Sequence, residues 1–238
     1  MVAKAKRFLT FFPLPRGTAM DRATFARPET ASNRLAANAH PLNNVESWVR
    51  RRIGNIDHER RVLQISTAFY DLTRDLHGLG RRAHWALSAA AIIHDVGRSV
   101  DPDTHEQVGA EMILSDPSLQ LPTRARRWLA YLTLYHRGPV PDLRSDEILR
   151  PSDDRPGLRK VLGLLRAADT LDSRSIDPPR LLLMRKDRRL QVNCWTKAPS
   201  SRAEKAFCRP KKYRLLEESI GCTVDVEVHH GDARMVAG

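Results

Sequence analysis

The stretch Ala89–Arg98, AAAIIHDVGR, decides how this chain is read. Its small and branched apolar residues predict a buried helix. His94 and Asp95 stand side by side at the end of that helix, and Gly97 supplies the stop that helices prefer. A charge taken out of water is costly unless it is balanced. A neighbouring imidazole and carboxylate at a buried helix end must therefore be paired, neutralised or bound to a metal.

Working outward, helical periods dominate. In Asp57–Leu76 the residues His58, Val62, Ile65, Phe69, Leu72 and Leu76 recur at steps of four, three, four, three and four, an apolar stripe with His58 at its N-terminal end. In Arg81–Val96 the stripe includes Leu87, Ala91 and His94. Thr104-x-x-Gln107 has the capping-box form and opens a helix with His105 in its first turn. Thr123 caps another, in which Leu129, Leu132 and His136 share a face before Gly138, Pro139 and Pro141 end it. From about Leu158 to Ser173, Leu158, Leu162, Leu165, Asp169 and Asp172 lie in one phase. Polar groups normally take the wet side of a helix, yet His58, His94, His136 and Asp169 occupy the apolar phase of four different helices. Convergence on one buried cation accounts for all four, because a metal balances carboxylates and accepts imidazole lone pairs. His40, His77 and His84 lack this support and are expected on the surface or in loops, with His229 and His230 exposed near the end.

Past Pro178 and Pro179 the period changes. Arg180–Met184 and Leu190–Trp195 read as strands around the turn Lys186–Arg189, Ser201 to about Ser219 as helix, and Thr223–Val228 as a strand. The fold class expected is mainly α: a helical bundle over residues 44–178 with a small ββαβ-like α+β unit over 179–238. Residues 1–43, rich in Pro, Asn, Thr and Arg, are expected to be a flexible leader with one short helix near Thr30–Ala37.

Composition narrows the partners. With 238 residues, 41% of them hydrophobic, the chain can bury a sizeable core. No apolar run approaches the length of a membrane span, and the short apolar start is broken by Pro13 and Pro15, so a cytoplasmic protein with no membrane partner is expected. Cys194, Cys208 and Cys222 form no CxxC pair, which argues against a disulfide framework or a cysteine zinc site. The net charge of +12 calls for a polyanionic partner or substrate, a class that includes phosphorylated small molecules. Basic clusters occur at Arg50–Arg52, Arg124–Arg127, Arg185–Arg189 and Arg209–Arg214, but no nucleic-acid-binding motif accompanies them.

At the singled-out residues the sequence resembles the HD-domain superfamily of metal-dependent phosphohydrolases: a helix-borne His58, the pair His94-Asp95, and Asp169 in LLRAADTLD. The subset with two metals adds two histidines, which His105 in HEQVGAEMI and His136 in LYHRG match. The chain is more closely similar to the C-terminal HD region of exopolyphosphatase/guanosine-pentaphosphatase proteins. That likeness rests on LHGLG at Leu76–Gly80, AAIIHDVG at Ala90–Gly97, YHRG at Tyr135–Gly138 and LLRAADTLDSR at Leu164–Arg174, and covers roughly residues 45–230. The phosphatase chemistry of those proteins belongs to an actin-like half with phosphate-binding glycine loops. These 238 residues contain no such loops, so polyphosphatase activity is not carried over. RGPVPD follows His136 where cyclic-dinucleotide phosphodiesterases carry GYP, and Val96-Gly97-Arg98-Ser99 replaces the HDxxED form of guanosine-tetraphosphate hydrolases.

The resemblance implies one or two divalent ions held by His58, His94, Asp95, His105, His136 and Asp169, with Asp95 bridging. A mixed imidazole and carboxylate set suits Mn, Fe, Ni, Co or Zn better than Mg alone. A metal-activated water would then hydrolyse a phosphomonoester or phosphodiester, nucleotides included, with Asp95, Arg98 and Arg137 as catalytic candidates. Asp172 is expected to support a ligand. Two alternatives stand beside this reading: a non-catalytic HD module that binds polyphosphate, RNA or a separate phosphatase, and a helical domain in which the HD pair is incidental.

Overall fold

Helix α4 (Arg81–Ile93) organises the bundle. Every residue from Ala86 to Ile93 is buried, and the run of three alanines lets neighbouring helices come close on several sides. In this computed structural model, residues 5–9, 32–142 and 145–231 are described, with side chains from residue 42 onward. Around α4 pack α1 (Ser32–Ile53), α2 (Asp57–Leu72), α6 (Thr123–Tyr135) and α7 (Arg155–Leu171). Helix α3 (Arg74–His77) is a short turn between α2 and α4, and α5 (His105–Ser115) lies along α6.

The expected helical stripes are the buried ones. In α2, His58, Val62, Ile65, Phe69 and Leu72 all face inward. In α7, Leu158, Val161, Leu162, Leu164 and Leu165 do the same, and the Asp154 side chain caps the helix by accepting from the Gly157 N–H at 3.0 Å. Two expected caps are not formed. Thr104 precedes α5, but its hydroxyl donates to Asp101 at 2.6 Å instead of serving the helix. Thr123 is the first residue of α6, and Pro122 holds the cap position.

The C-terminal residues build a mixed sheet. Strands β2 (Arg180–Lys186) and β3 (Arg189–Thr196) form an antiparallel hairpin, with Asp187 in the left-handed region at φ 53°. The chain then crosses over through α8 (Ser200–Phe207) and α9 (Pro210–Ile220) to β4 (Thr223–His230), which runs parallel to β3. The single helix expected over Ser201–Ser219 is therefore two, broken where Pro210 begins α9.

Residues 1–43 were expected to be a flexible leader, and two parts of them are ordered. Ala5–Leu9 form strand β1, which pairs antiparallel with β2 from Ala5 opposite Arg185 to Leu9 opposite Leu181, completing the sheet order β1-β2-β3-β4. The short helix near Thr30–Ala37 is the beginning of α1. The remaining leader residues, 1–4 and 10–31, lie outside the described residues.

One hydrophobic core runs from α1 to Cys222, so the helical bundle and the α+β unit share an interior. The two pack closely at Gly163 of α7, where an added Cβ would lie 2.9 Å from the Leu216 Cα of α9. Among the described residues, no helix is long and apolar enough to cross a membrane. The three cysteines are free thiols, two of them buried.

Candidate metal centre

Five helix ends meet at one buried point. His58 is in the first turn of α2 and His105 begins α5, while His94 closes α4, His136 closes α6 and Asp169 lies near the end of α7. Antiparallel packing brings these opposite termini together, so residues more than a hundred positions apart become neighbours. Asp95 follows His94 at the cap of a short 3-10 turn, Val96–Ser99. The four histidines and Asp95 are at most 5% exposed.

Each imidazole is fixed from behind. The Nδ1–H of His94 donates to the Ala91 carbonyl oxygen at 3.0 Å, that of His105 to Pro102 at 2.8 Å, and that of His136 to Thr133 at 2.6 Å. His58 donates through Nδ1 to the Asp172 carboxylate at 2.7 Å, and the other Asp172 oxygen accepts from Arg61 at 2.8 Å. A carbonyl or carboxylate can only accept, so a proton sits on each Nδ1 and Nε2 is the atom that each ring presents to the cluster. All four Nε2 atoms are buried without a hydrogen-bond partner.

Those four nitrogens point at two carboxylates. Asp95 Oδ1 lies 3.2 Å from His105 Nε2, 3.5 Å from His136 and 3.8 Å from His94. Asp169 Oδ1 lies 3.4 Å from His58 Nε2 and 3.6 Å from His94. Burial works to raise both carboxyl pKa values, but the imidazoles outweigh it. His94, His105 and His136 hold Asp95 well below the usual carboxylate range, and His58 and His94 do so for Asp169. Burial lowers the His58 pKa, and the Asp169 and Asp172 carboxylates overcome that and lift it to about 9. Two buried carboxylates this close need positive charge among them, which protonated imidazoles supply and which a metal ion bound through the Nε2 atoms would supply in their place.

Two groups could hold a metal ion, His58 with His94 and Asp95, and Asp95 with His105 and His136. They share Asp95. All six ligand candidates named from the sequence thus come together, and Asp172 stands behind His58 in the carboxylate–imidazole arrangement that orients metal ligands.

A cavity of about 230 Å³ opens beside the cluster, lined by His58, Asp95 and Asp169 and by five cations, Arg98, Arg137, Arg174, Arg209 and Lys212. Arg98 is not free to face it fully, because its Nε donates to Asp95 Oδ2 at 2.8 Å. Arg174, which sequence reasoning missed, donates to the same oxygen at 2.9 Å and pairs through Nη2 with Glu59. Glu59 was missed too: it follows His58, is fully buried and carries Arg174. Its position beside a ligand on a buried helix face was the available signal. Arg166 and Lys160 do not line the cavity. Arg166 Nη1 donates to the carbonyls of Tyr135 and Gly138 at 3.0 and 2.9 Å, which pins the turn that carries His136, and Lys160 Nζ donates to the His77 carbonyl at 2.8 Å.

His77 is corrected from a surface or loop residue to a buried one, 2% exposed. Its Nε2–H donates to the Tyr70 carbonyl at 2.9 Å and its Nδ1 accepts from the Leu79 N–H at 2.8 Å. His84 packs on the Tyr70 ring, and His229 is half-buried and stacks on Trp195. His40 lies outside the residues whose side chains are described.

Gly97 also has a different role from a helix stop. It does not adopt the left-handed conformation, and an added Cβ would lie 2.1 Å from the His105 carbonyl oxygen. The glycine is there because the backbone of α5 passes against it.

Compared with known proteins, the chain matches no family model and no curated protein sequence.

Proposed function

We propose that the protein is an HD-type, metal-dependent phosphohydrolase acting on a phosphomonoester or phosphodiester, nucleotides among them. The observation that carries this reading is the ring of four buried, unpartnered Nε2 atoms around the Asp95 and Asp169 carboxylates. A divalent ion bound there would take all four Nε2 atoms and both carboxylates while leaving the Nδ1 hydrogen bonds that fix the rings intact.

The donor set fits one or two ions of Mn, Fe, Ni, Co or Zn better than Mg alone, with His58, His94 and Asp169 about one position and His105 and His136 about the other. Bound there, such an ion supplies Lewis acidity towards a phosphoryl group and lowers the pKa of a water molecule. Asp95 belongs to both positions and supplies negative charge to each. Arg98 and Arg174 hold Asp95 Oδ2 and so set the orientation of that carboxylate. Arg137 lines the cavity next to His136, where its guanidinium can neutralise charge on the phosphoryl oxygens.

Elemental analysis of the wild-type protein and of Asp95→Ala tests the centre. The wild type is expected to retain metal and the variant to lose it, and the metal found then supports turnover of at least one member of a broad phosphoester panel. Metal bound without turnover, together with salt-sensitive binding of polyphosphate or RNA that survives His94→Ala with Asp95→Ala, would replace the hydrolase by the polyanion-binding reading.

A further inference from the structure

Among the described residues, three cations of the cavity lining pair with no carboxylate. Arg137 follows His136 at the end of α6, Arg209 immediately precedes α9, and Lys212 lies in the first turn of that helix. The other two cationic residues of the lining, Arg98 and Arg174, are taken up by Asp95 and Glu59. Arg209 donates through Nε to the Lys205 carbonyl at 2.7 Å, a bond that leaves its charge unbalanced. Among the described residues, neither Arg137 nor Lys212 forms an ion pair with a carboxylate.

The crowding is physical. Burial disfavours the charged form of Lys212. Asp169 pulls the other way, but Arg137, Arg166 and Arg209 add their repulsion, and its pKa falls below the ordinary lysine value. Like charges gathered on one wall of a cavity are unfavourable in the absence of an anion, and they lie beside the position where a phosphoryl group would meet the Asp95 and Asp169 cluster. The cavity, about 230 Å³, falls below the roughly 300–1,000 Å³ of pockets that enclose drug-sized ligands. It suits a small, highly charged group whose remaining parts stay outside.

Building on the phosphohydrolase reading, we propose that Arg137, Arg209 and Lys212 form a subsite for a second phosphate, so that the substrate carries two linked phosphate groups, as in a diphosphate ester. The first phosphate lies at the metal centre and the second lies against the three cations. The α+β unit supplies Arg209 and Lys212 and thereby sets substrate class for a centre built by the helical bundle. The close approach of α9 to α7 at Gly163 fixes where Lys212 stands relative to Asp169.

The test is calorimetric titration of the full-length protein, metal held in excess, with methylenediphosphonate and with methylphosphonate. Neither is hydrolysed, and they differ by one phosphonate group. Wild type is expected to prefer the diphosphonate by at least about tenfold, the size expected of added charge-assisted hydrogen bonds. In the double variant Arg209→Gln with Lys212→Met the ratio is expected to fall to about threefold or less. Circular dichroism and a melting curve confirm that the variant is folded. No preference in wild type, or a preference that survives the double variant, overturns the proposal. Metal content of the same preparations reports on the hydrolase reading separately: a metal-free protein that keeps the variant-sensitive preference retains the subsite and loses the enzyme.

Discussion

Replacing Gly97 by alanine adds one methyl group where no space exists. The new Cβ would lie 2.1 Å from the His105 carbonyl oxygen and 2.6 Å from the Gly109 nitrogen, both of them backbone atoms of α5. Flexible side chains can swing away from an intruder, but here the start of a helix must move. Overpacking of this kind costs about 1–3 kcal/mol, and a backbone obstacle places it near the upper end. For a chain of this size, about 3 kcal/mol corresponds to a melting temperature roughly 6–12 °C lower. The same displacement carries His105, whose Nε2 now stands 3.2 Å from Asp95 Oδ1, away from its carboxylate. Differential scanning calorimetry with and without added metal, paired with metal analysis, reads both effects. The variant is expected to melt early and to gain less than wild type from added metal. A Gly97→Ala protein that melts within about 3 °C of wild type and binds metal as tightly would refute the close-packing argument and its link to His105.

Other outcomes follow from the same geometry. Asp172→Ala removes the carboxylate behind His58 Nδ1 and is expected to weaken metal binding about 10–100-fold in a chelator competition, an unchanged affinity sinking the supporting role. Arg174→Met leaves the buried Glu59 carboxylate without its guanidinium. Breaking a fully buried pair costs about 3–5 kcal/mol, but the Arg174 side chain is 42% exposed, so a loss of about 1–2 kcal/mol is expected in urea unfolding, and none at all would contradict the pairing. Burial holds the His77 pKa below its unfolded value of 6.5. As pH falls below about 6.5 the unfolded chain takes up that proton first, so the stability tied to neutral His77 is present above this pH and lost below it. His77→Gln is expected to flatten the decline in unfolding free energy between pH 7 and 5, and an unchanged slope would show that the histidine does not titrate as described.

Four of the six candidate ligands were legible because each broke a rule of its own helix, while Asp95 was marked by its place beside His94 and His105 by the resemblance alone. His58, His94, His136 and Asp169 occupy apolar phases, and periodicity alone places them on the inside. The strands past Pro179 were legible for a similar reason, their change of period, while β1 was hidden because its partner strand lies about 175 residues away. Glu59, Arg174 and Lys212 were hidden for the same physical reason, since their roles depend on partners from other elements. His77 was misjudged because what satisfies it is backbone, the Tyr70 carbonyl and the Leu79 amide, which leaves no trace in residue type. Gly97 and Thr104 carried local signatures, a helix stop and a capping box, that the packing put to other uses.

Three of the four histidines donate a ring proton to the carbonyl of the residue three positions before them, Ala91 for His94, Pro102 for His105 and Thr133 for His136. The tautomer of each is thereby dictated by its own turn of backbone, with no distant side chain consulted. Substitutions elsewhere in the chain can drift without altering which nitrogen is bare, whereas a proline or a shifted register within any of those three turns would silence a donor atom outright. Which nitrogen each of these three rings presents to the cluster is, in that sense, inherited from local geometry.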